Sequence, residues 1–302
     1  MPFINTGYAY REQIQAKGES VLGHLARRFS HSNATQWRER IERGEIELDG
    51  EICDAATLLH AGQWLQWNRP PWEEPEAPEG CEILFEDAWL VAAIKPRGLP
   101  TLPSGGFLQQ TLLMRVQKQY PEAVPMHRLG RETSGIVLFA RTRAAAAELQ
   151  IAWRSHGVQK FYRTLASGVS KQDIHRITTP IGLVPHPRLG QLHAAAPNGK
   201  PSISIARVIE RHDTNTLFEV EIQTGRPHQI RIHMASIGHP LVGDPLYVAG
   251  GGPNPNGLAV PGDGGYFLHA MRLRFPHPAS GKLMELESQA PPELRTLEEL
   301  NS

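Results

Sequence analysis

The sequence predicts an α+β protein of two domains, on three observations. Residues 20–52 read as two short helices followed by a tight hairpin. From Cys81 onward, short apolar runs recur between clusters of Gly, Pro, Asn and Asp, with few helical stretches among them, which is a strand-rich pattern. Between the two, residues 69–80 concentrate proline and glutamate, which self-repel and build no regular element. The expected domains are residues 1–68 and 81–302, with 69–80 as the linker.

The first domain opens on a mixed stretch, residues 1–19, expected to be an extended arm. Ser20 to Phe29 follows with Val21, Leu22 and Leu25 at helical spacing. Ser32 or Asn33 can cap a second helix, Ala34 to Arg43, that Gly44 ends. Its apolar side is Trp37 and Ile41, and its polar side carries Arg38, Arg40 and Arg43. Glu45 to Leu48, an Asp49-Gly50 turn and Glu51 onward then form a hairpin. Read alone, this is a small unit with a solvated charged face. The order of these pieces, with the LHAGQWLQW strand behind them, resembles the S-four RNA-binding module over residues 15–68. That resemblance implies a face for structured RNA, diluted here by Glu39, Glu42 and Glu45.

In the second domain, Glu82 to Leu84 and Trp89 to Ile94 read as strands and Gln109 to Gln119 as a helix. Met126 to Arg141 places His127, Arg128, Arg131, Glu132 and Thr133 in a turn that runs into the apolar run Ile136 to Ala140. Polar groups at the mouth of a buried strand suit an active site, and arginine forks suit phosphate. Ala144 to Trp153 is an alanine-rich helix and Phe161 to Ala166 a strand on which Lys160 and Tyr162 share a face. Tyr162 is either an ordinary core tyrosine or a ring on which a base stacks. Residues 180–201 are expected to be a long loop, Ser202 to Glu210 and Leu217 to Gln223 paired strands, and 227–237 a short helix. Its approach holds Arg226, His228, Gln229, Arg231 and His233, a donor cluster for a phosphate-bearing ligand or a structural polar network. His228 and His233 lack the carboxylate of a metal-binding helix motif. Residues 250–265 read as a mobile loop, Leu268 to Phe275 and Leu283 to Leu286 as closing strands, and 291–302 as a surface helix.

Composition narrows the classes. Hydrophobic residues at 40% and charged residues at 21% are ordinary for a soluble chain. No apolar run is long enough for a membrane span, and the N-terminus lacks a signal-peptide pattern. Two cysteines support neither a disulfide framework nor a zinc site, so the expected compartment is the cytoplasm. A net charge of +0 excludes a strongly basic coat but not a local basic groove.

Taken in order, HRLGRETSGIVLFA, KFYRTL, TGRPHQIRIH, GHPLVGDPLY and FLHAMRLRFPHP resemble the RluA-type family of RNA pseudouridine synthases, over residues 82–288. The KPRGLP stretch from Lys95 and Gly199-Lys200-Pro201 fit as well. The resemblance implies a pseudouridine synthase fold, a mixed and largely antiparallel central sheet with flanking helices and a cleft. It implies isomerisation of uridine already inside ribosomal or transfer RNA, by a monomer, with no metal or organic cofactor. By position, Arg128 fills the stack that the flipped base leaves, Tyr162 stacks on the uracil, and Arg231 pairs with the catalytic aspartate. His127, Thr133, Arg226, His228 and Gln229 are expected at the substrate.

One position departs from the pattern. The family's aspartate in HRLD is Gly130 here, and glycine offers neither base nor nucleophile. Another acid replaces it, with Glu132, Asp244 and Asp263 as candidates; or the chain binds RNA without catalysis; or the glycine is a substitution in an otherwise active chain. An unrelated phosphate-ester enzyme would need a metal or nucleophile motif that the sequence lacks. A buried Arg231 needs an anion in any case.

Overall fold

The computed structural model describes residues 2–15, 18–29 and 31–301. It divides into two compact units, the first reaching Glu76 and the second running from Ala77.

In the first unit, β1 (Phe3–Ile4) and β2 (Tyr8–Gln13) precede α1 (Val21–Arg28) and α2 (Ala34–Glu42). Ser20 caps α1, and Asn33 caps α2 through a reciprocal box with Gln36, which satisfies amides that the helix cannot. β3 (Ile46–Leu48) and β4 (Glu51–Ile52) form the expected hairpin, with Asp49 and Gly50 both at positive φ, as a two-residue turn of this hand requires. β5 (Trp64–Arg69) completes a sheet in the order β2-β5-β3-β4. The helices bury Val21, Leu25, Trp37 and Ile41 against Ile46 and Leu65 of that sheet. The stretch expected to be an extended arm holds two strands, and β2 is paired along its length with β5. Residues 69–80 are not free of regular structure, because β6 (Glu73–Glu74) pairs with β1. Extended backbone before and after the prolines is compatible with a short edge strand.

The second unit begins with β7 (Glu82–Glu86), β8 (Leu90–Lys95), α3 (Leu112–Gln119), β9 (Val124–Pro125) and β10 (Ser134–Ala140). Then come α4 (Arg143–Arg154), β11 (Gln159–Ser167), β12 (Ile174–Ile177), β13 (Ile181–His186) and β14 (Gly190–Ala195). It closes with β15 (Ser204–Arg211), β16 (Asn215–Ile222), α5 (Gln229–Ser236), β17 (Leu268–Pro276), β18 (Leu283–Glu287), a 3-10 turn at Pro292–Leu294 and α6 (Leu297–Asn301). The central sheet runs β12-β15-β16-β11-β17-β10-β8-β7, with β18 beside β17 and β9 beside β10. Every pairing in it is antiparallel except β10 with β17.

β8 and β10 are buried on both faces. Val91, Ala93, Val137 and Phe139 pack with Leu112 and Val116 of α3, while Leu90, Ala92, Ile136 and Leu138 pack with Ala145 and Leu149 of α4. This explains why both strands read as continuous apolar runs. The parallel neighbour of β10, β17, comes so close that a Cβ on Gly135 would sit 2.2 Å from the Ala270 carbonyl, and the Gly135 φ of 109° suits only glycine.

Two expectations in this unit fail. Residues 180–201 contain the β13–β14 hairpin, whose Ile181, Leu192 and Ala194 pack on Ile232 and Ala235 of α5. Pro, Gly and His masked its alternation. The tail is a short turn and a five-residue helix, with Leu294 buried, instead of one surface helix.

Candidate active site

A cavity of about 430 Å³ opens in the second unit, at the start of β10 and beside β11 and α5. That size suits a small organic group. All nine residues expected at the site line it: His127, Arg128, Gly130, Thr133, Tyr162, Arg226, His228, Gln229 and Arg231. Trp153, His156, Lys160, Gln223, Tyr266 and Leu268 line it too. Of these, only Lys160 had a sequence signal, through its shared face with Tyr162.

The Gly130 loop is held from below. The buried Lys95 ammonium donates to the carbonyls of Pro96 (2.9 Å), Leu99 (2.6 Å) and Arg131 (2.8 Å). Thr101 Oγ1 donates to the Leu129 carbonyl and accepts from its amide. A turn closed by the Thr133 amide on the Gly130 carbonyl (3.1 Å) then leads into β10. Gly130 itself is exposed to the cavity, and a Cβ placed there would lie 3.3 Å from the Tyr266 hydroxyl and 3.6 Å from Thr133 Oγ1.

Tyr162 lies between Val220 of β16 and Ala270 of β17. It is both a core tyrosine and a cavity wall. Burial pushes its phenol up to about 12, so it is neutral at ordinary pH. Arg128 is exposed, and neither its side chain nor that of Lys160 has a hydrogen-bond partner among the described residues. Burial lowers the Lys160 ammonium from its ordinary value.

Arg231 is buried and gripped by Asp244. Its Nε and one terminal nitrogen donate to the two carboxylate oxygens, each at 2.7 Å, and the Tyr266 ring lies 4.2 Å from the guanidinium. The Leu246 and Tyr247 amides donate to the same carboxylate. The anion that Arg231 needs is therefore Asp244, fully engaged, and Asp244 does not line the cavity. The other two candidate acids are committed elsewhere as well. Glu132 pairs with Arg97 and Arg131, and Asp263 accepts the Val260 amide within its own loop. No Asp or Glu is among the residues that line the cavity.

Three expected substrate contacts turn out to be partly or wholly structural. Gln229 accepts from Thr224 Oγ1 and the Arg226 amide, and donates to the Ile203 carbonyl and Ser204 Oγ, so its hydrogen-bonding capacity is fully used. His127 Nε2 accepts the Leu138 amide at 3.1 Å, and its ring stacks on Trp153. His228 sits at φ 53° ahead of α5, with Nδ1 2.8 Å from the Tyr247 hydroxyl. That hydroxyl donates to the His193 carbonyl, so His228 Nδ1 must be the donor and Nε2 keeps its lone pair. α5 is buried nearly all round, between the sheet and the β13–β14 hairpin, which is why its polar residues knit the fold.

Burial holds His127 down to about 4, with the Lys160 charge adding to it; burial and then Arg231 hold His228 down to about 3. Burial also takes His269 down to about 4. Below the ordinary histidine value of about 6.5, the unfolded chain protonates at these positions and the folded chain does not. Stability therefore falls as pH drops from about 6.5 toward about 4. Melting temperature against pH is expected to show that slope, and His269→Gln, which removes one of the three, is expected to flatten it. An unchanged melting temperature between pH 7 and pH 4.5 would contradict the assignment.

Comparison with known proteins identifies the family. Residues 90–236 match the family described as RNA pseudouridylate synthase. A Synechocystis protein described as an uncharacterised RNA pseudouridine synthase is 44% identical over 280 residues, covering 92% of this chain and 96% of its own. The chain belongs to the RluA-type family of RNA pseudouridine synthases. RNA pseudouridine synthase 5 of Arabidopsis thaliana is 39% identical, covering 98% of this chain and 96% of its own. Ribosomal large subunit pseudouridine synthase D of Neisseria meningitidis is 33% identical over 91% of this chain and 76% of its own. The solved structure of human RNA pseudouridylate synthase domain containing 1 superposes with a TM-score of 0.56 at 24% identity, over 76% of this chain and 96% of its own, which supports the fold. The cavity lined by Tyr162 and Arg231 lies in the unit that the family match covers in large part. Among the described residues no His, Cys, Asp and Glu cluster could hold a metal, and no helix is long and apolar enough to cross a membrane.

Proposed function

We propose that this chain takes a uridine of ribosomal or transfer RNA into the cavity beside β11 and isomerises it to pseudouridine, as a cytoplasmic monomer. The observation that carries this reading is the character of the walls: aromatic rings that include Tyr162, with Arg128 and Lys160 as cations without an ion-pair partner among the described residues, and no carboxylate to repel phosphate. An extruded base needs an aromatic wall and something to replace its lost stacking, because unstacking costs a few kcal/mol. Tyr162 supplies the first and Arg128 can supply the second. Arg128 and Lys160 can neutralise backbone phosphates flanking the target. The His228 Nε2 lone pair can accept a hydrogen bond from a uracil N–H or a ribose hydroxyl.

A second reading, RNA binding without isomerisation, has one observation in its favour. The cavity lacks the carboxylate that would attack the ribose or take its proton. Tritium release from RNA labelled at uracil C5 tests both readings, with the native chain beside Gly130→Asp. Release by the native chain supports isomerisation, and release by the aspartate variant alone supports binding without it. Release by neither, with tRNA and rRNA fragments supplied, would defeat isomerisation, and failure to bind those fragments as well would defeat both. In whichever chain is active, Tyr162→Ala is expected to lower the rate at least tenfold, an effect of about 1.4 kcal/mol.

A further inference from the structure

The first unit carries an aromatic and cationic surface that the substrate cavity does not involve. On β2 and β5, Tyr8 is paired with Arg69 and Tyr10 with Trp67, so all four side chains rise on one face of the sheet. Tyr10 stacks on Trp67 at 5.3 Å and 23°, and Tyr8 meets Tyr10 edge-on at 4.8 Å. The Arg69 guanidinium lies 3.4 Å over the Trp72 ring, and Arg40 lies between Trp37 (4.6 Å) and Trp67 (4.7 Å). Tyr8 is 50% exposed and Tyr10 42% exposed.

Charge decides what such a face can take. Arg27, Arg28 and Arg43 pair with carboxylates, whereas Arg40 and Arg69 pair with none among the described residues. The charges of Glu45 and Glu39 reach Arg40 without pairing with it, and Glu45 is already engaged by the Trp67 indole N–H and by Arg43. Arg40 gives only one hydrogen bond, to Ser32 Oγ. Guanidiniums laid flat on indoles keep their N–H edges outward, where they can donate to an anion. Tyr8 and Tyr10 are the exposed rings, and Trp67 backs them, stacked on Tyr10 and on His31 and packed against the core of the unit. Exposed rings beside cations match a strand of bases joined by phosphates.

We propose that the face carrying Tyr8, Tyr10, Trp67 and Arg69 is a stacking platform for unpaired bases of the RNA substrate. Arg40, on the helix side with Arg38 and Arg43 to which the S-four resemblance points, reaches the Trp67 ring and so borders this face. The platform prefers single-stranded over duplex RNA, because a paired and stacked base offers no free π-face. This rests on the reading that the chain acts on RNA, but not on its catalysis.

The test uses the full chain and a fluorescent ten-nucleotide oligoadenylate, which holds no uridine for the cavity, beside a blunt-ended RNA hairpin. Tyr8→Ala/Tyr10→Ala is expected to weaken oligoadenylate binding at least about tenfold, and hairpin binding less than twofold. Tyr8→Phe/Tyr10→Phe keeps the rings and is expected to bind like the native chain, and Arg69→Gln to weaken binding and lower its salt dependence. Ultraviolet crosslinks are expected to map to the peptides holding Tyr10 or Trp67. Equal losses for both RNAs, native affinity in both the alanine and the Arg69→Gln variants, or preferential binding of an acidic peptide would overturn the platform. Tritium release stands apart, since its failure would leave oligoadenylate binding intact.

Discussion

Gly130→Asp is expected to raise pseudouridine formation by about 10²- to 10⁴-fold, the range of a positioned acid or base. The backbone does not demand glycine here, because Gly130 is absent from the residues at positive φ. An added Cβ meets only side-chain atoms, the Tyr266 hydroxyl at 3.3 Å and Thr133 Oγ1 at 3.6 Å. The first contact is tight, and a shift of a few tenths of an ångström in the Tyr266 ring relieves it. The carboxylate would then lie beside a tyrosine that already contacts the Arg231 guanidinium. A nearby cation favours the ionised carboxylate, so the variant would carry a charged acid at neutral pH. Gly130→Asn has the same shape without the charge and is expected to gain nothing. Single-turnover tritium release with the three chains measures the difference. Rates within twofold of one another would mean that the proton acceptor does not come from position 130.

Much of the fold was legible because it rests on local chemistry. Ser32 or Asn33 and Asp49-Gly50 announced the capped helix and the hairpin; Asn33 is the cap, and Asp49-Gly50 makes the turn. The runs at Leu90 and Ile136 read as buried strands because both of their faces are covered. The β13–β14 hairpin was hidden because its stability comes from α5, which lies far along the chain and packs on Leu192 and Ala194. Periodicity cannot report a partner of that kind. The site was legible as a set of residues and less so as a set of roles. Sequence placed Gln229, His127 and His228 in the cavity, but only coordinates show which of their polar atoms are already engaged. Tyr266 was missed because it lies in a Gly- and Pro-rich stretch with no period, although its hydroxyl faces Gly130 across the cavity.

The other large effect belongs to Asp244. Asp244→Ala is expected to destabilise the second unit by about 3–5 kcal/mol, the cost of leaving one member of a buried ion pair without its partner. For a unit of this size that is a fall of roughly 6–20 °C in melting temperature, at about 2–4 °C per kcal/mol. Arg231 is 2% exposed and the Asp244 side chain 1%, so water cannot take the place of the carboxylate. The same change strips the Leu246 and Tyr247 amides of their acceptor and loosens the turn that sets Tyr247 under His228. Arg231→Met/Asp244→Leu removes both charges with little loss of volume and is expected to recover part of that stability, since apolar replacement of a buried pair is often neutral or better. It also separates two roles for this acid. A structural Asp244 predicts that the double variant folds and that Gly130→Asp added to it still binds RNA. A melting temperature for Asp244→Ala within 2 °C of the native chain would show that the pair contributes little to stability.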